Sequence, residues 1–248
     1  MSQEHKDADT TGERQDRLRK LEELKKADID PYPSQTKRTH LSQEILNNFQ
    51  DLEKKEKTVT LAGRLRSKRS HGNLSFAQLQ DDQGQIQLAF SKKNIGADSY
   101  KTLSKMVDMG DFVQVSGNCF VTHKGEKSIM VSEWKLLAKA VRPLPEKWHG
   151  LKDEEEKLRK RYLDILINPE IKDMIKKRGE FWKAVRDFMV DKGFLEVETP
   201  VLEVTTGGAD AQPFITHHNA MDLDVYLRIS MGELWQKRLM VAGLEKTF

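Results

Sequence analysis

Leu74-Ser75-Phe76-Ala77-Gln78-Leu79-Gln80-Asp81-Asp82-Gln83-Gly84-Gln85-Ile86-Gln87-Leu88-Ala89-Phe90 is the stretch on which the fold turns. Successive side chains of a strand point to opposite faces, so Ser75, Ala77 and Leu79 share one face and Leu74, Phe76 and Gln78 the other. Asp81-Asp82-Gln83-Gly84 supplies the residues of a hairpin turn. Ile86, Leu88 and Phe90 then form a new apolar set, with Gln85 and Gln87 on the opposite, polar face. Two alternating runs joined by a short turn predict paired strands rather than a helix.

The same alternation continues outward, over Thr58 to Leu137. Upstream, Val59, Leu61 and Leu65 alternate with polar residues around Gly63, and His71-Gly72-Asn73 turns into the quoted stretch. Downstream, a helical patch around Tyr100 to Val107 precedes two more strands. These are Phe112 to Val121, with Val113, Val115 and Cys119 on one parity, and Ser128 to Lys135, joined by a turn at Lys124-Gly125-Glu126. Three strands, a helix and two strands in this order predict an OB-fold, a small barrel that binds oligonucleotides on its strand 2–3 face. The competing reading is another five-stranded barrel with no nucleic-acid role.

Strand parity nominates a site. If Ala77 and Leu79 join Ile86, Leu88 and Phe90 inside, Phe76 is left outside near Gln87, close to Arg64, Arg66, Lys68 and Arg69. An exposed ring stacks bases, an amide reads a base edge, and cations meet phosphate. The opposite parity would make Phe76 a core residue.

The flanks are helical. Leu18, Leu21 and Leu24 mark a narrow apolar stripe from Glu13 to Ala27, ended by Asp30-Pro31-Tyr32-Pro33 because proline lacks an N–H and restricts its predecessor. A second helix is expected over Ser42 to Glu56. After a linker with two prolines and a glycine, Arg142 to Gly150, helices are expected from Asp153 to Ile167 and from Pro169 to Gly193. Leu195 to Pro200, Pro213 to Thr216 and Val225 to Ile229 read as strands, and Glu233 to Val241 as a closing helix. The expected organisation is a disordered tail (1–12), a helical segment (13–57), the barrel (58–140), a linker (141–152) and an α/β region (153–248), an α+β chain overall.

The 248 residues carry 42 Lys and Arg against 39 Asp and Glu, so any polyanion must be met by a local basic patch rather than by net charge. Cys119 is the single cysteine; it can form no internal disulfide and, with no apolar run at the N-terminus, suggests the cytoplasm. His217 and His218 are adjacent and point to opposite faces of a strand, so no metal site is expected. No GxxxxGK[ST], GxGxxG or GxSxG motif is present.

From about Arg17 to Phe248 the chain resembles the class II lysyl-tRNA synthetases. The resemblance lies in Asp30-Pro31-Tyr32-Pro33, in Arg142-Pro143-Leu144-Pro145-Glu146-Lys147-Trp148-His149-Gly150-Leu151 and in Arg161-Tyr162-Leu163-Asp164. It is most specific in Gly193 to Leu202, similar to motif 1 (about 179–202) at the family's dimer interface, and in Gly207-Gly208-Ala209-Asp210-Ala211-Gln212-Pro213-Phe214-Ile215-Thr216-His217-His218-Asn219. That last segment favours lysine over the related aspartyl and asparaginyl enzymes.

The resemblance implies a ligase that joins lysine to its tRNA using ATP and Mg²⁺, as a homodimer with an antiparallel α/β catalytic domain. Phe76 would stack on the middle anticodon uridine, Gln87 would hydrogen-bond it, and Arg69 would meet the anticodon stem-loop. Gly208, or its neighbour Gly207, would approach the lysine α-ammonium, and Glu233 would accept the ε-ammonium. Three residues, Ser230-Met231-Gly232, stand between Ile229 and Glu233 where the family has two. A Phe-Arg-x-Glu motif 2 and a motif 3 are not among these residues, so this chain is expected to bind the anticodon without forming lysyl-adenylate, with no catalytic or metal residue assigned. The rival is a non-catalytic tRNA-binding protein.

Overall fold

The computed structural model describes residues 12–145, 153–205 and 210–248. The expected tail apart from Gly12, most of the expected linker, and Gly207 with Gly208 lie outside the described residues. The chain divides into two compact units, Met1–Gly150 and Leu151–Phe248.

In the first unit β1 (Val59–His71), β2 (Leu74–Gln80), β3 (Gln85–Ser91), β4 (Phe112–Val121) and β5 (Lys127–Ala138) close into a barrel of order β1-β2-β3-β5-β4. Neighbours are antiparallel except β3 and β5, which run parallel. This is the OB-fold arrangement. Ala77, Leu79, Ile86, Leu88 and Phe90 are buried with Val59, Leu61, Val113, Val115, Ile129 and Val131. Phe76 stays half-exposed on the outer face, so the parity read from the sequence is the parity of the barrel.

Closure forces two strands together at Gly117. The β4–β5 register shifts between Ser116 and Gly117, and a Cβ on Gly117 would lie 2.1 Å from the Met130 carbonyl oxygen. Bulges with glycine are how a sheet bends sharply enough to close. Gly117→Ala is therefore expected to destabilise the barrel by about 1–3 kcal/mol through overpacking, read as a lower urea midpoint; an unchanged midpoint would contradict the contact.

Helices seal the barrel. The single helix expected over residues 42–56 is two, α2 (Ser42–Asn47) and α3 (Phe49–Lys54). The break is at Asn48, whose side-chain amide donates to the Glu44 carbonyl at 3.0 Å and whose φ of −107° leaves the helical range, a case of a short polar side chain competing with the helix ladder. Ile45, Phe49 and Leu52 still enter the core. Between β3 and β4, α4 (Lys92–Ile95) and α5 (Ala97–Met106) add Tyr100 and Leu103.

The first helix, α1 (Gly12–Lys26), is fastened by charge as well as by leucine. Buried Arg17 donates to the carbonyls of Met109 at 3.0 Å and Ala140 at 3.2 Å. Beside it, the fully buried Lys139 ammonium sits 2.7 Å from the fully buried Asp111 carboxylate and 2.6 Å from Asp108, and Lys20 reaches Asp108 at 2.8 Å. Burial pushes the Asp108 carboxyl upward, but hydrogen bonds from Lys139 and then Lys20 outweigh it and leave the group below the usual aspartate range.

The second unit begins with α6 (Glu154–Arg159) and α7 (Arg161–Ile167), again two helices where one was expected, parted at Lys160 with φ −108°. The long helix α8 (Pro169–Asp191) follows, opened by Asn168, whose side chain caps Glu170 N at 3.2 Å. It buries none of its residues, and Phe181, Trp182 and Phe188 are exposed. A three-stranded antiparallel sheet of order β6-β8-β7 is made by β6 (Leu202–Glu203), β7 (Ile215–His218) and β8 (Leu223–Leu227). The strand expected over Leu195 to Pro200 is not formed. Leu195 and Val197 hydrogen-bond only to Lys246 and Phe248, giving a single bridge, because among the described residues no full strand lies alongside to extend it. No described helix is long and apolar enough to cross a membrane.

Candidate nucleic-acid interface

A cleft of about 410 Å³ opens on the outer face of β2 and β3, lined by Arg69, His71, Phe76, Gln87, Thr122, His123, Lys124 and Glu126. Its floor follows from register. Arg69 of β1 lies directly opposite Phe76 of β2, Gln78 lies opposite Gln87 of β3, and Gln87 lies beside Ser128 of β5. Directly opposed residues bring their Cβ atoms within about 4.5–5.5 Å, so Arg69 flanks the ring that Phe76 presents.

The β4–β5 loop forms the wall. Gly125, at φ +80°, takes the left-handed turn that glycine accepts without penalty. The Thr122 and Glu126 main chains pair at 3.0 Å, and Thr122 Oγ1 accepts from Glu126 N at 3.0 Å. That wall was read from the sequence only as a turn. Thr122, His123, Lys124 and Glu126 were missed as lining residues because their neighbours in the cleft lie about 40 positions away, across a parallel pairing that local periodicity does not encode.

Of the three RNA-facing candidates, all line the cleft, though not equally. Phe76 and Arg69 stand as expected on the outer face. Gln87 has the outward parity but is only 7% exposed, covered by Ser128 and Glu126. The four-residue basic patch is corrected to one member. Arg64 stacks on Phe112, 4.4 Å from the ring centroid, and donates to the Gly110 carbonyl. Lys68 turns away to the carbonyls of Leu103, Ser104 and Val107 at the end of α5, where burial pushes its ammonium below the usual lysine value. Arg66 is similarly lowered by burial. Only Arg69 of this run lines the cleft: the successive residues Lys68 and Arg69 point to opposite faces of the strand, paired with Ala77 and Phe76, and the orphan carbonyls of a helix end attract the nearest ammonium.

In the second unit, Gly208 lies outside the described residues. The backbone of Glu233 falls in a π-helical turn, Gly232–Gln236, leading into α9 (Lys237–Val241). A π turn carries one residue more than an α turn, and this one lies where the resemblance implies one residue more before Glu233 than the family has. Arg228 fixes the preceding strand by donating to the Thr199 carbonyl at 2.9 Å and its hydroxyl at 2.8 Å. His217 faces Asp224 at 2.8 Å. The Cys119 thiol, raised to about 11 chiefly by burial, is a core group rather than a nucleophile.

Comparison with known proteins agrees with both units. A family model described as an OB-fold nucleic acid binding domain matches residues 59–137, and one described as tRNA synthetases class II (D, K and N) matches residues 153–248. The lysine–tRNA ligase of Carboxydothermus hydrogenoformans is 49% identical over 232 residues, 94% of this chain and 47% of that protein. The corresponding protein of Moorella thermoacetica is 50% identical over the same shares, and that of Thermoanaerobacter pseudethanolicus is 49% identical over 94% of this chain and 46% of its own length. The chain thus spans about half the length of the curated relatives it matches. With a nucleic-acid-binding barrel followed by a class II synthetase region, both aligned continuously to these proteins, the chain belongs to the lysine–tRNA ligase family of class II tRNA synthetases.

Proposed function

We propose that the barrel binds the anticodon loop of a lysine tRNA, stacking the middle uridine on Phe76, hydrogen-bonding it through Gln87 and meeting the backbone with Arg69. The observation that supports this is the register that sets Arg69 opposite Phe76, with Gln87 on the neighbouring strand of the same cleft. A π-face, an amide and a cation converging on one groove are what single-stranded RNA recognition requires.

In the wider reading the second unit belongs to the part of the ligase that takes lysine. The Gly208 carbonyl would receive the α-ammonium and the Glu233 carboxylate the ε-ammonium, since an ammonium leaving water needs a charged acceptor to offset its desolvation. ATP and Mg²⁺ would serve the ligation, and motif 1 would pair two copies. Among the described residues no three acidic, histidine or cysteine groups gather as a metal site. In this reading the protein would meet its tRNA in the cytoplasm.

Anisotropy titration of the 248-residue chain with a lysine anticodon stem-loop tests the reading. Affinity is expected to fall steeply with salt, and Arg69→Ala to reduce the slope of log K against log salt by about 0.7, the value of one single-strand phosphate contact. An unchanged slope would remove Arg69 from the backbone contacts.

A further inference from the structure

The tip of the β1–β2 hairpin is fastened from behind by α5. His71, Gly72 and Asn73 at the tip are all exposed, and a two-stranded ribbon has little stability of its own. Tyr100 of α5 meets it with a hydroxyl on a buried ring. That hydroxyl donates to the Gly72 main-chain carbonyl at 3.0 Å and lies 2.8 Å from Ser75 Oγ, which itself lies 2.9 Å from Ser70 Oγ. Each hydroxyl carries one hydrogen, and a carbonyl can only accept. Tyr100 gives its hydrogen to Gly72, so Ser75 must donate to Tyr100, and Ser70 in turn to Ser75. The bonds run in one direction, from Ser70 through Ser75 and Tyr100 to Gly72, and bonds in such a chain polarise and strengthen one another.

The chain of hydroxyls lies directly behind the cleft. Ser70 stands opposite Ser75, and the adjoining pair is Arg69 opposite Phe76. Successive residues face opposite sides of a strand, so the serines turn toward the helix while Arg69, His71 and Phe76 line the cleft. We propose that Tyr100 is a positioning residue for RNA binding: through the Gly72 carbonyl and Ser75 it holds the hairpin tip, and with it the Arg69 guanidinium, where the RNA backbone passes. RNA then meets a groove that is already ordered and does not have to order it on binding. In this way α5, none of whose described residues lines the cleft, contributes to affinity. The inference rests on the cleft being an RNA site.

Tyr100→Phe, which removes the hydroxyl and keeps the ring, tests it. In the 248-residue chain it is expected to weaken binding of a lysine anticodon stem-loop about threefold to tenfold. It is also expected to flatten the dependence of log K on log salt toward that of Arg69→Ala. Made in an Arg69→Ala background, the same substitution is expected to weaken binding by less than about twofold, because both act through one contact. Backbone NMR order parameters over residues 71–73, measured without RNA, are expected to fall. Leu103→Val is the control. Leu103 lies on the same helix and is fully buried, so its truncation lowers the urea midpoint while affinity and salt slope stay as they are.

A Tyr100→Phe chain that binds as tightly as the unsubstituted chain, at the same salt slope, overturns the inference alone, and so does a tip that stays as rigid as before. Losses from Tyr100→Phe and Arg69→Ala that multiply in full also overturn it, since Tyr100 would then not act through Arg69. A Leu103→Val chain that loses affinity equally does the same, by showing an effect of general stability. If the unsubstituted chain itself fails to bind the stem-loop, the RNA reading falls first and takes this inference with it.

Discussion

Phe76→Ala is expected to weaken binding of a lysine anticodon stem-loop by about 1–3 kcal/mol, the usual cost of removing one stacking ring. The ring is half-exposed on the outer face of β2, opposite Arg69, and takes no part in the buried cluster. Its removal should therefore leave the urea midpoint nearly unchanged, which separates loss of binding from loss of fold. Truncating its inward-facing neighbour Leu79, fully buried in the barrel, should do the reverse. The measurement is anisotropy at fixed salt, with and without the middle base. If Phe76→Ala binds as tightly as the unsubstituted chain, the ring does not carry the base. If the loss is the same for the abasic loop, the ring supports the backbone instead.

The largest effect on stability is expected from Lys139→Met. Both Lys139 and Asp111 have no exposed side-chain surface, and the ammonium also holds Asp108. Deleting the cation strands a buried carboxylate, a change that typically costs about 3–5 kcal/mol. Two main-chain donors remain to Asp111, from Asp108 at 2.8 Å and Ala140 at 2.7 Å, which keeps the site foldable. Lys55→Met is the control: its pair with Asp51 is exposed on both sides, and such pairs contribute about 0–1 kcal/mol.

The pH dependence follows from Asp108. Its folded value lies below that of the unfolded chain, near 3.9 for a free aspartate, so its stabilisation is complete above that value and is lost as pH falls through the lower folded value. Lys139→Met removes the first-named of the hydrogen-bonding cations, so stability between about pH 5 and pH 2 should decline less steeply than in the unsubstituted chain. Chemical denaturation across that range measures it, and parallel acid limbs would show that Lys139 does not hold Asp108 low.

The helix breaks were illegible in the sequence for a different reason from the site. Residues 42–56 and 153–167 each keep a helical pattern across a position where one backbone angle departs, at Asn48 and at Lys160. Periodicity averages over such a residue, whereas the fold needs the change of direction that seats Phe49 and Leu52 beneath the barrel.

Strand periodicity by itself determined the barrel's five strands and that Phe76 faces away from Ala77 and Leu79, because the two-residue alternation of a strand is written locally and survives any choice of partner. Which of the two faces is outside was decided by the closed barrel, which buries Ala77 and Leu79. Nor did periodicity determine what surrounds that ring. Lys68, which the sequence places next to Arg69, is taken by carbonyls at the end of α5 about 35 residues away, and Gln87 is covered by Ser128, 41 residues on. The Gln87 contact exists because β3 pairs in parallel with β5, and the Lys68 contact because the end of α5 comes to lie against β1. Tertiary closure decided them: hydrogen-bond partners and electrostatic neighbours depend on distance in space, which a strand's own sequence does not contain.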